Sequence, residues 1–359
     1  MLEDTGRNPA ARCAAVLGRV PGRTVSIGEG PAGYQTLGNR TALKMLIRPR
    51  SHTGAHAEGD TIMATTEQML VTLNNGVQIP ALGFGVFQTS PEDTIAAVTT
   101  ALGDGYRLID TAAAYGNERE VGQAIRRSGI DRSEIYVETK LWISDYGTEK
   151  AQVGFDASLR RLGVDYVDLY LLHQPAPADF EDTIAAYEVA EKMLQAGRAR
   201  AIGVSNFSPD HIRRLLDRAT VVPAVNQVEL HPYFTNSTVQ AADKTLGILT
   251  QAWSPIGGIH RYRPAGDADV LKDPVITALA GKYGKTPAQV VLRWHLDEGR
   301  SALPKSVTPS RIAENLDVFD FTLQPDELAA IDDLDTGLRG GPDPELLNTR
   351  SYPKAVDNS

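Results

Sequence analysis

The chain has 359 residues, of which 42 % are hydrophobic and 23 % are charged, and its formal net charge is −9. These values are typical of a globular protein with a full core. The negative charge argues against a nucleic-acid surface or a polybasic membrane anchor, and no apolar run approaches the roughly 20 residues of a transmembrane helix. The one cysteine, Cys13, cannot form an internal disulfide or a cysteine-rich metal site. We therefore expect a cytoplasmic protein that acts on a small molecule and binds neither nucleic acid nor membrane.

The first 62 residues differ in composition from the rest of the chain. Gly, Pro, Thr and Arg are scattered through them without a period of 2 or 3.6, and eight basic residues stand against five acidic ones. We interpret residues 1–62 as a disordered extension and residues 63–359 as the folded domain, with Met63 as a candidate natural start. An organelle transit peptide is the alternative, but the acidic residues and the lack of an amphipathic helix disfavour it.

A β-hairpin is predicted at the start of the domain. Two short alternating runs, residues 71–74 and 77–80, flank Asn75 and Gly76. An Asn-Gly pair readily adopts the positive φ that both central positions of a two-residue hairpin turn require.

Downstream of the hairpin, short apolar runs alternate with amphipathic segments. The predicted strands cover residues 82–87, 106–112, 135–142, 167–174, 199–206, 224–231, 248–255 and 300–306. The predicted helices that follow them cover residues 91–103, 118–127, 148–162, 180–196, 209–219, 238–246, 286–298 and 311–319. Eight such units with right-handed crossovers predict an α/β fold, a (β/α)₈ TIM barrel. Two extra helices, at residues 273–283 and 325–334, are predicted to pack outside it.

Polar side chains at the carboxyl ends of three successive strands indicate the active site, because barrel enzymes carry it on that face. Asp110 ends the second strand and Tyr115 follows it, while Lys140 and His173 lie at the ends of the third and fourth. A nearby lysine cation makes a tyrosine a usable proton donor, since it stabilises the phenolate. Asp110 would hold Lys140 charged, and His173 would donate a hydrogen bond to a carbonyl oxygen. The four residues predict carbonyl reduction and are too few as ligands for a zinc site.

Each of these four residues also has an ordinary interpretation. That interpretation makes Asp110 a turn cap, Tyr115 a residue at the edge of the core, Lys140 a solvated cation and His173 a buried histidine whose hydrogen bonds are satisfied. Chance is a poor explanation for four complementary groups on three adjacent strand ends, so we favour the catalytic interpretation.

At these residues the sequence resembles the aldo-keto reductases. The resemblance rests on DTAAAYGNE at 110–118, TKLW at 139–142, GVSNF at 203–207 and PKSV at 304–307, and it extends from about residue 71 into the C-terminal region. It implies that Tyr115 is the general acid of a reduction in which NADPH supplies the hydride. It also implies a cofactor that lies extended across the barrel mouth, and no suitably placed G-x-G-x-x-G fingerprint is visible.

The resemblance assigns the cofactor site residue by residue. Ser205, Asn206 and Gln227 would hold the nicotinamide carboxamide, and Trp253, followed by Ser254, would stack on the ring. The adenosine end would be bound by residues around the start of the last helix unit: Lys305, Ser306, Arg311, Glu314 and Asn315. The two cations suit a 2′-phosphate and therefore NADPH over NADH. The alternative is an exposed i,i+3 helix pair between Arg311 and Glu314.

The substrate wall is predicted from residues near the tetrad: Phe87, Trp142, Tyr146 and His173. The C-terminal tail, residues 338–359, would complete it, and Arg350 in this tail offers a cation for a substrate carboxylate. The segments NLDVFDF at 315–321 and VPAVNQ at 222–227 look most like bacterial 2,5-diketo-D-gluconate reductases. We therefore expect a monomeric reductase of that compound or of related aldehydes and dicarbonyls. The alternatives are a cofactor-sensing binding subunit and a recruited structural protein with the same fold.

Overall fold

The computed structural model describes residues 68–257, 269–352 and 354–358. The predicted extension, residues 1–62, lies outside these ranges. The described part opens with the predicted hairpin, in which strand β1 (Leu70–Thr72) pairs antiparallel with β2 (Gln78–Pro80).

The hairpin turn is longer than the one that its Asn-Gly pair predicts. Of Asn75 and Gly76, only Gly76 adopts a positive φ, of 86°. The Gly76 amide donates to Leu73 O at 2.9 Å, and the Leu73 amide donates to Val77 O at 2.8 Å. The loop is therefore a three-residue turn that ends in a left-handed glycine, the next most common way to join two antiparallel strands.

Eight parallel strands form the predicted barrel, which confirms the fold class. They are β3 (Phe84–Gly85), β4 (Leu108–Asp110), β5 (Tyr136–Leu141), β6 (Val167–Leu172), β7 (Ala199–Ser205), β8 (Val225–Glu229), β9 (Leu249–Trp253) and β10 (Ser301–Leu303), paired in chain order. The barrel closes between its first and last strands, where the Gly83 amide donates to Ala302 O at 2.9 Å and the Gly85 amide to Pro304 O at 3.0 Å. All carboxyl ends of the strands therefore meet at one mouth.

The predicted helices are all present, with ends within three residues of the prediction. They are α1 (Pro91–Asp104), α2 (Glu118–Ser128), α3 (Thr148–Leu162), α4 (Phe180–Gln195), α5 (Pro209–Leu216), α6 (Ser237–Leu246), α7 (Pro274–Tyr283), α8 (Pro287–Asp297), α9 (Pro309–Leu316) and α10 (Pro325–Asp332). The two additional helices of the prediction are α7 and α10. No helix in the described ranges is long and apolar enough to cross a membrane.

The last strand is shorter than predicted. It ends at Leu303, because Pro304 has no amide proton to donate to the ladder. Lys305 and Ser306 therefore lie in the loop after β10, and Arg311 lies in the first turn of α9.

The hairpin seals the end of the barrel opposite the mouth. Leu73 and Ile79 are buried against residues of β6, β7 and β8. Asn74 Nδ2 donates to Pro223 O, just before β8, at 2.9 Å. A ligand can therefore reach the strand ends from the mouth and not from the hairpin side.

Helices α2 and α3 approach each other closely at Gly122. A Cβ atom on this glycine would lie 1.9 Å from the backbone oxygen of Leu162. Gly103 in α1 is the opposite case, because a Cβ atom there would meet nothing within 4 Å.

We expect Gly122→Ala to lower the free energy of unfolding by about 2 kcal/mol, because the added methyl group pushes the two helices apart. Gly103→Ala should raise it by about 0.5 kcal/mol, since alanine is the better helix former and has room. Urea denaturation of both variants and wild type measures the difference. Equal effects of the two substitutions would contradict the close helix contact.

Candidate active site

The four predicted catalytic residues meet at the mouth of the barrel. Asp110 is the last residue of β4, Lys140 lies in β5, and His173 directly follows β6. Tyr115 ends a short 3₁₀ turn after β4. The Lys140 ammonium donates to Asp110 Oδ1, to Thr111 O at 3.0 Å and to Tyr115 Oη at 3.3 Å. All three of its protons are used, so the side chain is held in one position.

Hydrogen bonds fix the loop that carries Tyr115. Thr111 Oγ1 donates to Asn117 Oδ1 at 2.9 Å, and Asn117 Nδ2 donates to Val86 O at 2.9 Å. The ring of Phe87 covers Tyr115, with 4.9 Å between the ring centroids. The phenol is thus placed by contacts to the segments that directly follow β3 and β4.

Burial and nearby charges act in opposite directions on the pKa values of Tyr115 and Lys140. Burial raises the pKa of Tyr115 to about 12, although the Lys140 cation lowers it. Burial also opposes the charge on Lys140, but Asp110, Tyr115 and Glu138 together outweigh it, and the pKa of Lys140 lies above its ordinary value. Lys140 acts on Tyr115 in the predicted direction, but desolvation is the larger effect. At neutral pH the site therefore holds a protonated phenol beside a cation.

His173 is a neutral imidazole. Burial lowers its pKa well below the ordinary value, and the positive charges of Lys140 and Lys354 act in the same direction. Its ring packs edge-on against Tyr115 and Trp142, at centroid distances of 5.6 Å and 5.1 Å. Its Nδ1 has no hydrogen-bond partner among the described residues. A neutral ring beside the phenol can donate one N–H to an oxygen atom.

The residues predicted to hold a carboxamide lie next to the tetrad. Asn206 Nδ2 donates to His173 O and to Ser205 Oγ, both at 3.0 Å, and Asn206 Oδ1 accepts from Trp253 Nε1 at 2.9 Å. The backbone is strained here, because Asn206 and Ser254 adopt φ values of 66° and 49°. Left-handed non-glycine residues cluster at ligand-binding sites.

Gln227, the third residue of this predicted set, points into the barrel. Its Nε2 lies 3.2 Å from Asp110 Oδ1. It therefore joins the predicted carboxamide site to the predicted acid–base site.

Two unpaired cations lie at the far end of the predicted cofactor site. Lys305 and Arg311 are exposed, and neither forms an ion pair within the described part of the chain. The alternative pair between Arg311 and Glu314 is not formed, because Glu314 Oε1 accepts from Thr286 Oγ1 at 2.9 Å. Both cations are consequently open to an anion from solution.

The loop between these cations is shaped by Ser306. Its Oγ accepts from the Thr308 amide at 3.1 Å. Thr308 is the N-cap residue of α9 and makes no side-chain cap bond, and Asn315 is buried further along this helix. The positive end of the α9 dipole therefore faces the same loop as the cations.

Comparison with known proteins identifies the family. Residues 81–336 match the Aldo/keto reductase family. The chain belongs to the aldo/keto reductase family. It is 53 % identical to morphine 6-dehydrogenase of Pseudomonas putida, in a match of 294 residues that covers 80 % of this chain and 98 % of the relative. It is 45 % identical to methylglyoxal reductase DkgA of Escherichia coli strain K12, in a match of 276 residues that covers 77 % of this chain and 97 % of the relative.

A solved structure supports the same assignment. The crystal structure of a Bombyx mori aldo-keto reductase in complex with NADP matches with a TM-score of 0.74 and 35 % identity, over 81 % of this chain and 100 % of that chain. The family membership and the barrel fold that the sequence predicts are confirmed.

The C-terminal tail of this aldo/keto reductase covers one side of the mouth. Trp142 Nε1 donates to Lys354 O at 2.8 Å, and Lys354 Nζ donates to Ala114 O at 2.5 Å. The positive charge of Lys354 in this tail acts on His173. Arg350, predicted from the sequence as a cation for a substrate carboxylate, is exposed.

Two other predicted wall residues differ in accessibility. Phe87 is 44 % exposed and offers an apolar face at the mouth. Tyr146 is buried, and its hydroxyl donates to Gln174 O at 2.6 Å. Tyr146 therefore supports the backbone directly after His173.

Sequence reasoning missed Glu138, two residues before Lys140 in β5. Glu138 is completely buried; its Oε1 accepts from Gln227 Nε2 at 2.6 Å, and its Oε2 accepts from Gln251 Nε2 at 3.0 Å. Successive side chains of a strand alternate between its two faces, so Glu138 and Lys140 share the barrel interior. That i,i+2 spacing is the signal that could have identified it.

We expect Lys140→Met to lower the free energy of unfolding by about 3 kcal/mol, because the Asp110 carboxylate is then buried without its cation. Combining it with Asp110→Asn should restore part of the loss, since the uncompensated charge is removed. Urea denaturation of the two single variants and the double variant at pH 7 measures both effects. A double variant less stable than Lys140→Met would contradict the role of the ion pair.

Proposed function

We propose that this aldo/keto reductase is an NADPH-dependent reductase of aldehydes and ketones, with Tyr115 as the proton donor. The observation that carries the proposal is the 3.3 Å contact between Tyr115 Oη and Lys140 Nζ, in a buried site where Asp110 holds the lysine. A phenol gives up its proton more readily where a cation stabilises the phenolate. Packing alone does not require this arrangement.

Each residue of the tetrad has one task in the proposed reaction. When bound, NADPH supplies the hydride. His173, as a neutral donor, hydrogen-bonds the carbonyl oxygen and places it at Tyr115 Oη. Tyr115 transfers its phenolic proton to that oxygen, and Lys140 stabilises the phenolate that remains. Asp110 keeps Lys140 protonated and in place.

The residues at the mouth fit a nicotinamide. The carboxamide would be held by the side chains of Ser205, Asn206 and Gln227, with Trp253 and Ser254 beside the ring. Asn206 and Ser205 already lie within hydrogen-bond distance of each other next to His173. The NADP complex of the Bombyx mori relative supports this assignment.

The loop after β10 fits the adenosine end of NADPH. The residues that would bind it are Lys305, Ser306, Arg311, Glu314 and Asn315. The unpaired ammonium of Lys305 and guanidinium of Arg311 suit a 2′-phosphate, which a guanidinium can bind through two parallel hydrogen bonds. NADH has no such phosphate, so we propose a preference for NADPH.

For the substrate we propose a small aldehyde or dicarbonyl, of the kind represented by methylglyoxal and 2,5-diketo-D-gluconate. Phe87 and Trp142 supply apolar surface on either side of His173 and Tyr115, which suits a small molecule with one reacting polar group. The E. coli relative, named a methylglyoxal reductase, supports this substrate class.

We expect the purified protein to oxidise NADPH in the presence of methylglyoxal, and Tyr115→Phe to lower kcat by about 10³-fold, because the proton donor is lost. NADPH binding, measured by fluorescence quenching, should remain. Tyr283→Phe is the control, since its hydroxyl contacts Glu327 Oε2 on the outside of the barrel and its loss should leave turnover unchanged. A wild-type protein that binds NADPH but reduces nothing in a panel of aldehydes and ketones would favour the cofactor-sensing alternative.

The preference for NADPH over NADH should depend on Arg311. We expect Arg311→Ala to weaken NADPH binding about tenfold, which corresponds to roughly 1.4 kcal/mol, and to leave NADH binding unchanged. Arg127→Ala is the matched control, because Arg127 is exposed in the last turn of α2, where barrel helices end away from the mouth. Fluorescence titrations with both nucleotides measure the effect. An equal loss for NADPH and NADH would rule out the 2′-phosphate assignment.

A further inference from the structure

The barrel interior below the tetrad holds a second carboxyl group, which the proposed reaction does not use. Glu138 is completely buried and accepts from Gln227 Nε2 at 2.6 Å and from Gln251 Nε2 at 3.0 Å. Gln251 Nε2 also donates to Ser301 Oγ at 3.3 Å. One carboxyl group thus connects β5 to β8 and β9, and through Gln251 to β10.

Gln227 links this carboxyl group to the tetrad. The Nε2 atom that donates to Glu138 also lies 3.2 Å from Asp110 Oδ1 and 2.9 Å from Gln251 Oε1. An amide nitrogen carries two protons, so three acceptors compete for them. An ionised carboxylate is a stronger acceptor than a neutral carboxylic acid. The charge of Glu138 therefore affects how strongly Gln227 Nε2 donates to Asp110 Oδ1.

Glu138 also interacts electrostatically with Tyr115, the proposed proton donor. The titratable groups that face it are Asp110 from β4, Lys140 from its own strand and Tyr115 from the loop after β4. The pKa of Glu138 is raised to about 8, mainly by burial and then by the Asp110 carboxylate, against the opposing Lys140 cation. The ionised form of Glu138 in turn raises the pKa of Tyr115, by less than burial and the Asp110 carboxylate do. Glu138 thus changes its charge within a pH range where the enzyme can be assayed.

We propose that Glu138 is a positioning residue that acts on the tetrad from inside the barrel: it anchors Gln227 beside Asp110, and its charge adjusts how readily Tyr115 releases its proton. The inference rests on the proposed function of Tyr115. Ionised Glu138 raises the pKa of Tyr115 because like charges repel, and a carboxylate therefore disfavours a nearby phenolate. Protonated Glu138 leaves Tyr115 the stronger acid and favours reduction, whereas ionised Glu138 slows it.

The test is the pH dependence of methylglyoxal reduction in the wild type and in two uncharged variants, Glu138→Gln and Glu138→Thr. In the wild type, kcat/KM should decline above about pH 8, where Glu138 ionises, by roughly threefold to tenfold. In both variants this decline should disappear. The second variant keeps the test decisive if the first does not fold, and thermal melting monitors the fold of each.

Asp243→Asn is the matched control. Asp243 is another buried carboxyl group, whose pKa burial raises to about 7. Its oxygens bond Asn226 Nδ2 at 3.2 Å and Thr250 Oγ1 at 2.9 Å, away from the tetrad. The Asp243→Asn variant should keep the wild-type decline. A decline that persists in both Glu138 variants, or that Asp243→Asn abolishes, would overturn the proposal.

A second measurement does not depend on turnover. Infrared difference spectra of the wild type should show the carbonyl stretch of a protonated carboxylic acid that disappears near pH 8. The Glu138→Gln variant should lack this band and Asp243→Asn should keep it; the same band in Glu138→Gln would count against the proposal. If the band titrates but the wild type reduces no carbonyl, the proposed function fails while the charge change of Glu138 stands.

Discussion

The buried ion pair between Lys140 and Asp110 is the interaction on which the active site depends. Both side chains are almost inaccessible to water, and either charge alone would be strongly unfavourable there. The same ammonium group binds the backbone of Thr111 and the hydroxyl of Tyr115. One cation therefore ties β4 to β5, positions the loop between the strand and α2, and lies where it would stabilise the Tyr115 phenolate of the proposed reaction.

Burial determines the protonation state of every other titratable group near this pair. Removal from water disfavours whichever form is charged, so the same cause acts in opposite directions on different groups. It raises the pKa values of Tyr115 and Glu138 and lowers that of His173. The result is a site with a protonated phenol and a neutral imidazole side by side, which is the state in which both can donate to one oxygen atom.

The strained backbone and the apolar contacts of the hairpin lie at opposite ends of the barrel. The non-glycine residues with positive φ in the described ranges all lie in loops that follow the carboxyl ends of strands: Gln88, Ala176, Asn206, Asn236 and Ser254. Such conformations cost on the order of 1–3 kcal/mol each. The opposite end is closed by the hairpin and its apolar contacts. A continuous ring of parallel strands supports the strained loops, which carry the residues of the site.

The sequence by itself determined the barrel and the hairpin and predicted that the four residues of the tetrad meet, because strand and helix periods are local and the ends of parallel strands must lie at one mouth. It also identified Lys305 in the loop after β10 and Arg311 at the start of α9, although it extended that strand past Pro304. Local patterns could not show that Lys354 of the tail acts on His173, or that Glu138 contacts Gln227 and Gln251. Those contacts join residues 89 and 113 positions apart. Only closure of the barrel brings their strands together, so only the tertiary structure decided which side chains share its interior.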